Sequence, residues 1–543
     1  MAATAAPRPQ AAKSAPAPAK PAAESTEKKE QARFDIDEFR VEGADTIPLI
    51  EVEEAVYPFL GPNRSAEDVE KARAALEKAY HSKGFQTVVV AIPQQNADRG
   101  FVVLKVTESK VGQLRVKGSR FFSLDKVKQS APSLAEGKVP NFNDVTKDIV
   151  ALNQWPDRRV TPALRAGATP GTVDVDLNVE DKPPLHASVE LNNRQSANTT
   201  PLRVNSTVRY DNLWQLGHSL SFSYQVAPQR PDDAKVISGS YLARVPGNDF
   251  LNIMVYGLKS DSSVATVGNL NVVGPGQVIG ARGILTLPSR ENFFHTVSAG
   301  MDYKDFKQSV SLGSDEFSSP ITYYPIVANY GATFQGTLKD YESVTQLNAG
   351  VTNSLRGLGS TPLEFDTKRF KATGSFIYFR GDVSHTQELP GGGQLFGKVQ
   401  GQVADQPLVS SEQFSGGGLD TVRGYLESEV VGDNGAAGTF ELRTANIGAL
   451  LQQSFKDQSG DAPKITVFND WRFFAFADGA RVTVLQPLPE QQARFDLASY
   501  GVGTRLRMFD YANGMVALAV PLISQTETRA NKARLLFRVW GEF

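Results

Sequence analysis

Cysteine is absent from all 543 residues of this chain. That excludes disulfides and thiolate metal sites, and it suits a chain that passes through an oxidising compartment without forming stray crosslinks. There is also no run of about 18 apolar residues, so a membrane-spanning helix is excluded. A membrane β-barrel is not, because each of its strands keeps half its residues on a wet face; the mean hydropathy of -0.28 is compatible with that. Neither sign of charge dominates, with 57 basic against 59 acidic side chains and a formal charge of -2. Such a chain has no field for gripping nucleic acid, and none is expected as a partner. Histidine is scarce, and the five present (His81, His186, His218, His295, His385) are scattered without metal-ligand spacing. With no phosphate-binding loop either, the reading is no metal, no cofactor and no enzyme. Gly276 and Gly280 form a GxxxG, but beside Pro275 on an expected strand it reads as a turn or a close approach.

The opening Met1-Ala2-Ala3-Thr4-Ala5-Ala6-Pro7 has neither a basic n-region nor an apolar h-region. An envelope protein would then be expected to carry its signal in the full-length gene product. Residues 1–33 are rich in Ala and Pro, then charged, and bury too little apolar surface to offset ordering entropy, so they read as a flexible leader. From Phe34 the pattern becomes strand, helix, helix, strand, strand. Phe34–Val41 alternates, Pro48 opens a helix to about Leu60, and Ser65 can cap a second helix with Val69, Ala72, Leu76 and Ala79 on one face. Gly84 offers its left-handed stop, and strands Thr87–Ile92 and Phe101–Val106 follow around a turn at Asn96 and Asp98.

The same order then recurs. Val111–Val116 reads as a strand, Leu124–Ser130 as a short helix, and Asn141–Asn153 as a helix with Val145, Ile149 and Leu152 on one face. Val160–Leu164 and Val173–Val179 complete the copy. The exits from the first strands match too, Val41-Glu42-Gly43 in one and Val116-Lys117-Gly118 in the other. Two similar units about 75 residues apart imply tandem α+β modules, 34–108 and 109–182, with one larger α+β domain as the alternative.

After Asp181-Lys182-Pro183-Pro184 helical signals nearly vanish, and residues 183–543 become short alternating runs between turns. Leu220, Phe222, Tyr224 and Val226 oppose Ser219, Ser221, Ser223 and Gln225. Val297, Ala299, Met301 and Tyr303 oppose Ser298, Asp302 and Lys304. A soluble β-sandwich alternates as well, but here one face is rich in Arg, Asp, Lys and Ser and the other in small and aromatic residues, as lipid outside and water inside require. At roughly 22 residues per strand plus connection, about 360 residues give about sixteen antiparallel strands, enough to enclose an aqueous lumen. Closure is required, since an open edge in lipid leaves backbone groups unpaired. Tyr210, Tyr224, Tyr303, Tyr378 and Trp540 suit interface girdles, although a buried sandwich core would explain them nearly as well.

The most informative stretch runs from Ser411 to Tyr425, SEQFSGGGLDTVRGY, followed by Gly432-Asp433-Asn434-Gly435 and Phe440-Glu441-Leu442-Arg443. It resembles the two-partner secretion transporter family (TpsB, of the haemolysin and filamentous-haemagglutinin secretion type) within the superfamily of POTRA-bearing outer-membrane barrels. The resemblance implies that a long loop folds back into the barrel with Val422-Arg423-Gly424-Tyr425 at its tip. It also implies that the arginine pairs with an aspartate on a lumen-facing strand, an aromatic or small residue lying two positions before it. Phe468-Asn469-Asp470 fits, with Ile465, Val467 and Trp471 on the opposite face, although Arg472 stands where that family often has glycine. Physically, an arginine inside a barrel needs an anionic partner, and a bidentate guanidinium-carboxylate pair pins a loop better than a lysine would. Asp211-Asn212-Leu213-Trp214-Gln215-Leu216-Gly217 resembles the family's turn between early strands. The terminal Phe543 resembles the signal read by the barrel-assembly machinery; Gly541 departs from it, which leaves Phe537, Val539 and Phe543 to carry insertion.

The expectation is thus α+β tandem POTRA modules followed by an all-β transmembrane barrel of about sixteen strands, in the outer membrane of a Gram-negative bacterium with the modules in the periplasm. Its partners would be an unfolded secreted protein, the barrel-assembly machinery and outer-membrane lipid. Two other functions share much of this pattern: an insertase that assembles other barrels, and a passive porin or surface receptor.

Overall fold

The computed structural model describes residues 33–543 other than 96–98, 249, 263, 268–269, 274, 308, 313–314, 319 and 452–466. The expected leader, the turn at Asn96 and Asp98, and Ile465 lie outside the described residues, apart from Arg33.

The first module is built as the pattern implies, with two refinements. The expected strand Phe34–Val41 is two strands, Arg33–Ile36 and Glu38–Glu42, split at Asp37, whose backbone amide donates to Gly100 O at 2.7 Å. The first pairs with Gly61–Ser65, and the second lies parallel to Phe101–Glu108, which pairs on its other side with Val88–Ala91. The helix opened by Pro48 is α-helical over Leu49–Val56, then tightens to a 3-10 turn to Phe59. The longer helix, Ala66–Ser82, begins at a reciprocal cap: Ser65 N donates to Asp68 Oδ2 (3.0 Å) and Asp68 N to Ser65 Oγ (3.4 Å), satisfying two donors that a helix start leaves unpaired. Val69, Ala72, Leu76 and Tyr80 are buried along its inner face. Burial of each large side chain contributes about 1.5–3 kcal/mol, which is what holds the helix on the sheet.

The second module has helices Leu124–Gln129 and Phe142–Leu152 and a sheet in the order Lys110–Lys117, Thr172–Asp181, Arg158–Ala166. The repeat seen in the sequence is geometric as well. Gly43 and Gly118 both turn left-handed (φ 80° and 85°), and a Cβ on them would stand 2.6 Å from Val106 O and 2.4 Å from Val179 O. Glycine is required at both strand exits by conformation and by space.

Residues 185–543 form a closed barrel of 16 antiparallel strands, from Leu185–Asn192 to Arg534–Glu542. The compact unit that contains it also takes in residues 116–131 and 149–162. Polarity across the wall is inverted relative to a water-soluble protein. Leu220, Phe222, Phe440, Leu442, Leu535 and Val539 project outward and are exposed, whereas Asp302, Lys304, Glu441 and Asp478 face inward and are buried. Apolar surface on that scale is stable only against lipid, which decides against a soluble sandwich. Gly280 is a close-approach glycine: a Cβ there would meet Asp302 Oδ1 at 2.3 Å. The turn after Arg203–Leu213 is left-handed at Trp214, Gln215 and Gly217, and Trp155 packs where a Gly217 side chain would be.

A helix in a barrel connection escaped the sequence reading. Pro362–Lys368 stands in the connection after the strand Tyr341–Gly359, started by Thr361 with Pro at the first turn and Glu364 as the reciprocal cap. Hydrogen bonds from the Thr361 amide and hydroxyl hold the Glu364 carboxyl below its ordinary range.

Candidate functional site: a latched loop inside the barrel

The longest connection between barrel strands, residues 405–433, leaves Gln394–Ala404 and returns as Asn434–Arg443. A short hairpin, Phe414–Gly416 with Val430–Gly432, stiffens its base. Two glycines let the chain double back tightly. Gly417 and Gly418 both have φ 100°, and a Cβ on Gly417 would meet Leu426 O at 2.5 Å.

At the tip Arg423 is 4% exposed. Its Nη2 and Nε reach Asp478 Oδ1 and Oδ2 at 2.7 and 2.8 Å, its backbone N donates to Asp478 Oδ2 at 3.0 Å, and its Nη1 donates to Glu441 Oε2 at 2.8 Å. The guanidinium carbon also lies 3.5 Å from the centroid of the Phe476 ring. A forked charge-assisted pair over an aromatic face is geometry that only arginine satisfies. Glu441 further accepts from Arg443 Nε (2.7 Å) and Arg505 Nη2 (3.2 Å), so three guanidinium groups share two carboxylates. The neighbours of Arg423 fix its direction. Val422 is fully buried with Phe414, Val430 and Val482, and Tyr425 Oη donates to Ile523 O at 2.7 Å. Gly424 sits at φ 96°, where a Cβ would press on Ala519 and Pro521 at 3.3 and 3.4 Å.

The expected partner of Arg423 was Asp470, and the structure corrects this. Asp470 lies at the start of the strand Phe468–Thr483 and pairs with Arg472 Nε at 3.0 Å. Asp478 is eight positions further on, about 27 Å along a strand. The inward face was read correctly, since both aspartates are on it, but the depth was not. The strand carries the aromatic-x-Asp pattern twice, as Phe468-Asn469-Asp470 and Phe476-Ala477-Asp478, and the loop reaches the second.

Two further anchors were not foreseen. Glu412, buried near the root of the loop, accepts from Lys304 Nζ (2.6 Å), Tyr323 Oη (2.5 Å) and Tyr378 Oη (2.8 Å). Asp433, where the loop rejoins the wall, accepts from the amides of Leu408 and Leu485 at 2.7 and 2.6 Å. A buried carboxylate with several donors is what holds a polar loop in place without backbone pairing.

Of the assembly residues, Val539 and Phe543 are exposed on the outer side and Phe537 is half-buried. Phe543 exchanges two backbone hydrogen bonds with Ala187, N to O at 2.8 Å and O from N at 3.1 Å, so the terminal residue helps close the barrel. Elsewhere His186 Nε2 lies 3.0 Å from Asp157 Oδ2 and 3.5 Å from Asp211 Oδ2, bringing together one histidine and two carboxylates that are far apart in sequence. Arg209 Nε donates to Asp211 at 2.8 Å.

Comparison with known proteins agrees at both ends of the architecture. A ShlB-type POTRA domain matches residues 34–109, and the haemolysin secretion/activation protein family ShlB/FhaC/HecB matches residues 326–460. The outer membrane transporter CdiB of Dickeya dadantii is 21% identical over 402 residues, covering 71% of this chain and 67% of that protein. The heme/hemopexin transporter protein HuxB of Haemophilus influenzae is 21% identical over 408 residues, covering 73% and 67%. Among solved structures, CdiB from Escherichia coli superposes with a TM-score of 0.65 at 17% identity over 97% of this chain and 94% of that one. CdiB from Acinetobacter baumannii gives 0.57 at 14% identity over 95% and 91%. These superpositions establish a common fold. The fold and the matched regions together define a POTRA-bearing outer-membrane β-barrel. More narrowly, the match over residues 326–460 is to the haemolysin secretion/activation family, and the relatives at 21% identity are outer-membrane transporters.

Proposed function

We propose that the chain secretes a partner protein, captured unfolded in the periplasm, through its barrel, and that Arg423 with Asp478 and Glu441 latches the closed state. The latch carries this reading: a loop held in the lumen by a forked ion pair is a removable obstruction, which a static structural plug would not need. Capture would use the open edge of the first module. Among the described residues Val88–Ala91 is paired on one side only and presents Val89 to solvent, so an extended client can add a strand there. Residues 109–182 would serve as a second POTRA module, the outer face as the lipid contact, and the last strand as the site read by the barrel-assembly machinery. With no nucleotide at this membrane, folding of the client outside would bias the direction.

The test co-expresses the chain with the client encoded beside it, and measures client at the cell surface for wild type, R423A and D478A at equal barrel abundance. Retention of the client in the periplasm when the chain is deleted, and altered export from both variants, is expected. Unchanged export from both would reject the latch. A deletion that instead depletes other barrels from the outer membrane would favour the insertase.

A further inference from the structure

We propose that Arg194 is a positioning residue through which the lumen loop clasps the seam of the barrel, so that loop release and seam loosening are one event. The inference rests on the loop and barrel geometry and not on which cargo is carried.

The seam, where the first strand meets the last, is the shortest joint in the wall. Leu185–Asn192 and Arg534–Glu542 share five register pairs, from Ser188 with Glu542 to Asn192 with Arg538, whereas every other adjacent pair of barrel strands shares eight or more among the described residues. The ladder stops while the last strand still has residues to pair. Beyond it Asn193 takes over: its Nδ2 donates to Leu535 O at 2.7 Å and its Oδ1 accepts from Phe537 N at 2.9 Å, a side-chain amide completing what backbone pairing does elsewhere.

The next two residues turn to the loop. Arg194 Nε donates to Glu427 Oε1 at 2.9 Å, and its Nη2 donates to Asp420 Oδ2 at 2.6 Å. Gln195 O accepts from Glu427 N at 3.0 Å. The tripeptide 193–195 thus binds the last strand with its first residue and the loop with its second and third. The opposite lip is held by the same loop. Tyr425 Oη donates to Ile523 O, and Glu429 Oε1 accepts from Thr528 N at 2.8 Å, both in the connection that leads into the last strand. Loop residues 420–429 therefore bridge the two sides of the seam while Arg423 holds the wall at Asp478. A loop withdrawn from the lumen takes with it the charge-assisted bonds at Arg194, leaving the five-pair ladder, the Ala187–Phe543 backbone pair and the Asn193 side-chain bonds to hold the joint.

The experiment is hydrogen–deuterium exchange on the full chain in lipid nanodiscs, without client, so that its failure leaves the secretion reading standing. Arg194→Gln is expected to speed amide exchange in 185–192 and 534–542 by about tenfold, as loss of charge-assisted bonds implies, with the strand 321–338 as an unaffected reference. The loop-side double variant Asp420→Asn/Glu427→Gln is expected to give the same change. Unchanged seam exchange in R194Q overturns the proposal. So does a seam that loosens in R194Q but not in the loop-side variant, because Arg194 would then act on the joint without the loop. Should R194Q fail to insert, the loop-side variant alone decides by the same reading.

Discussion

Replacing Asp478 by alanine removes three hydrogen bonds from Arg423, at its Nη2, Nε and backbone N, and leaves Glu441 as the one carboxylate facing Arg423, Arg443 and Arg505. The Arg423 and Asp478 side chains are 5% and 0% exposed, so solvent does not replace what is lost. Breaking a buried pair on one side costs about 3–5 kcal/mol; with Glu441 still in place the lower end applies, about 3 kcal/mol, or roughly a hundredfold shift towards the displaced loop. Asp470 provides the control. Its side chain is 44% exposed and pairs with Arg472, and an exposed pair of that kind is worth about 0–1 kcal/mol, less than roughly a fivefold shift. In planar bilayers D478A is therefore expected to spend far more time in the conducting state than wild type, with the loop open to added protease, while D470A behaves like wild type. Equal opening by D470A, or a D478A channel as quiet as the wild type, would refute the assignment of Arg423 to Asp478.

Gly424→Ala should unseat the tip by about 1–2 kcal/mol, from the left-handed backbone alone, and raise channel opening by roughly tenfold. Gly43→Ala forces a Cβ against a carbonyl oxygen and should destabilise the first module by more than about 1 kcal/mol, read as a lower thermal midpoint of its unfolding with the barrel transition unmoved. Tyr80 is buried in the first module with its hydroxyl donating to Glu108 Oε1 at 2.9 Å, and burial, then the Glu108 bond, pushes its ionisation well up. The stability it contributes is present below the unfolded tyrosine value of about 10 and is lost as pH rises beyond it, so wild type should weaken in alkali where Tyr80→Phe does not. Equal alkaline loss in both proteins would remove that role.

Much of the architecture is written in local pattern, and local physics explains why. Alternation with aromatic and small residues on one face and charges on the other requires a wall between lipid and water, and closure follows because lipid offers no partner to an open edge. Ser65 and Gly84 bound their helix by satisfying or releasing backbone groups, a matter of a few neighbouring residues. Thr361-Pro362-Leu363-Glu364 is an equally legible helix start, though it is short and stands among strands. The split of the first strand at Asp37 was not legible, since it depends on where Gly61–Ser65 and Phe101–Glu108 compete for edges.

The sequence by itself determined the first POTRA module, the wall and its two faces, and an arginine at 423 in need of a buried acid. Which acid was left to tertiary structure. Two aspartates stand on the same face of one strand behind the same aromatic signature, and period-two alternation records the side of a sheet but carries no measure of depth. Depth is set by how far the loop descends, through the glycines at 417 and 418 and the anchors at Glu412 and Asp433, and by register around the whole cylinder. The grip of Arg194 on Glu427 is decided the same way. It joins residues 233 apart, and no local pattern encodes a meeting that only barrel closure brings about.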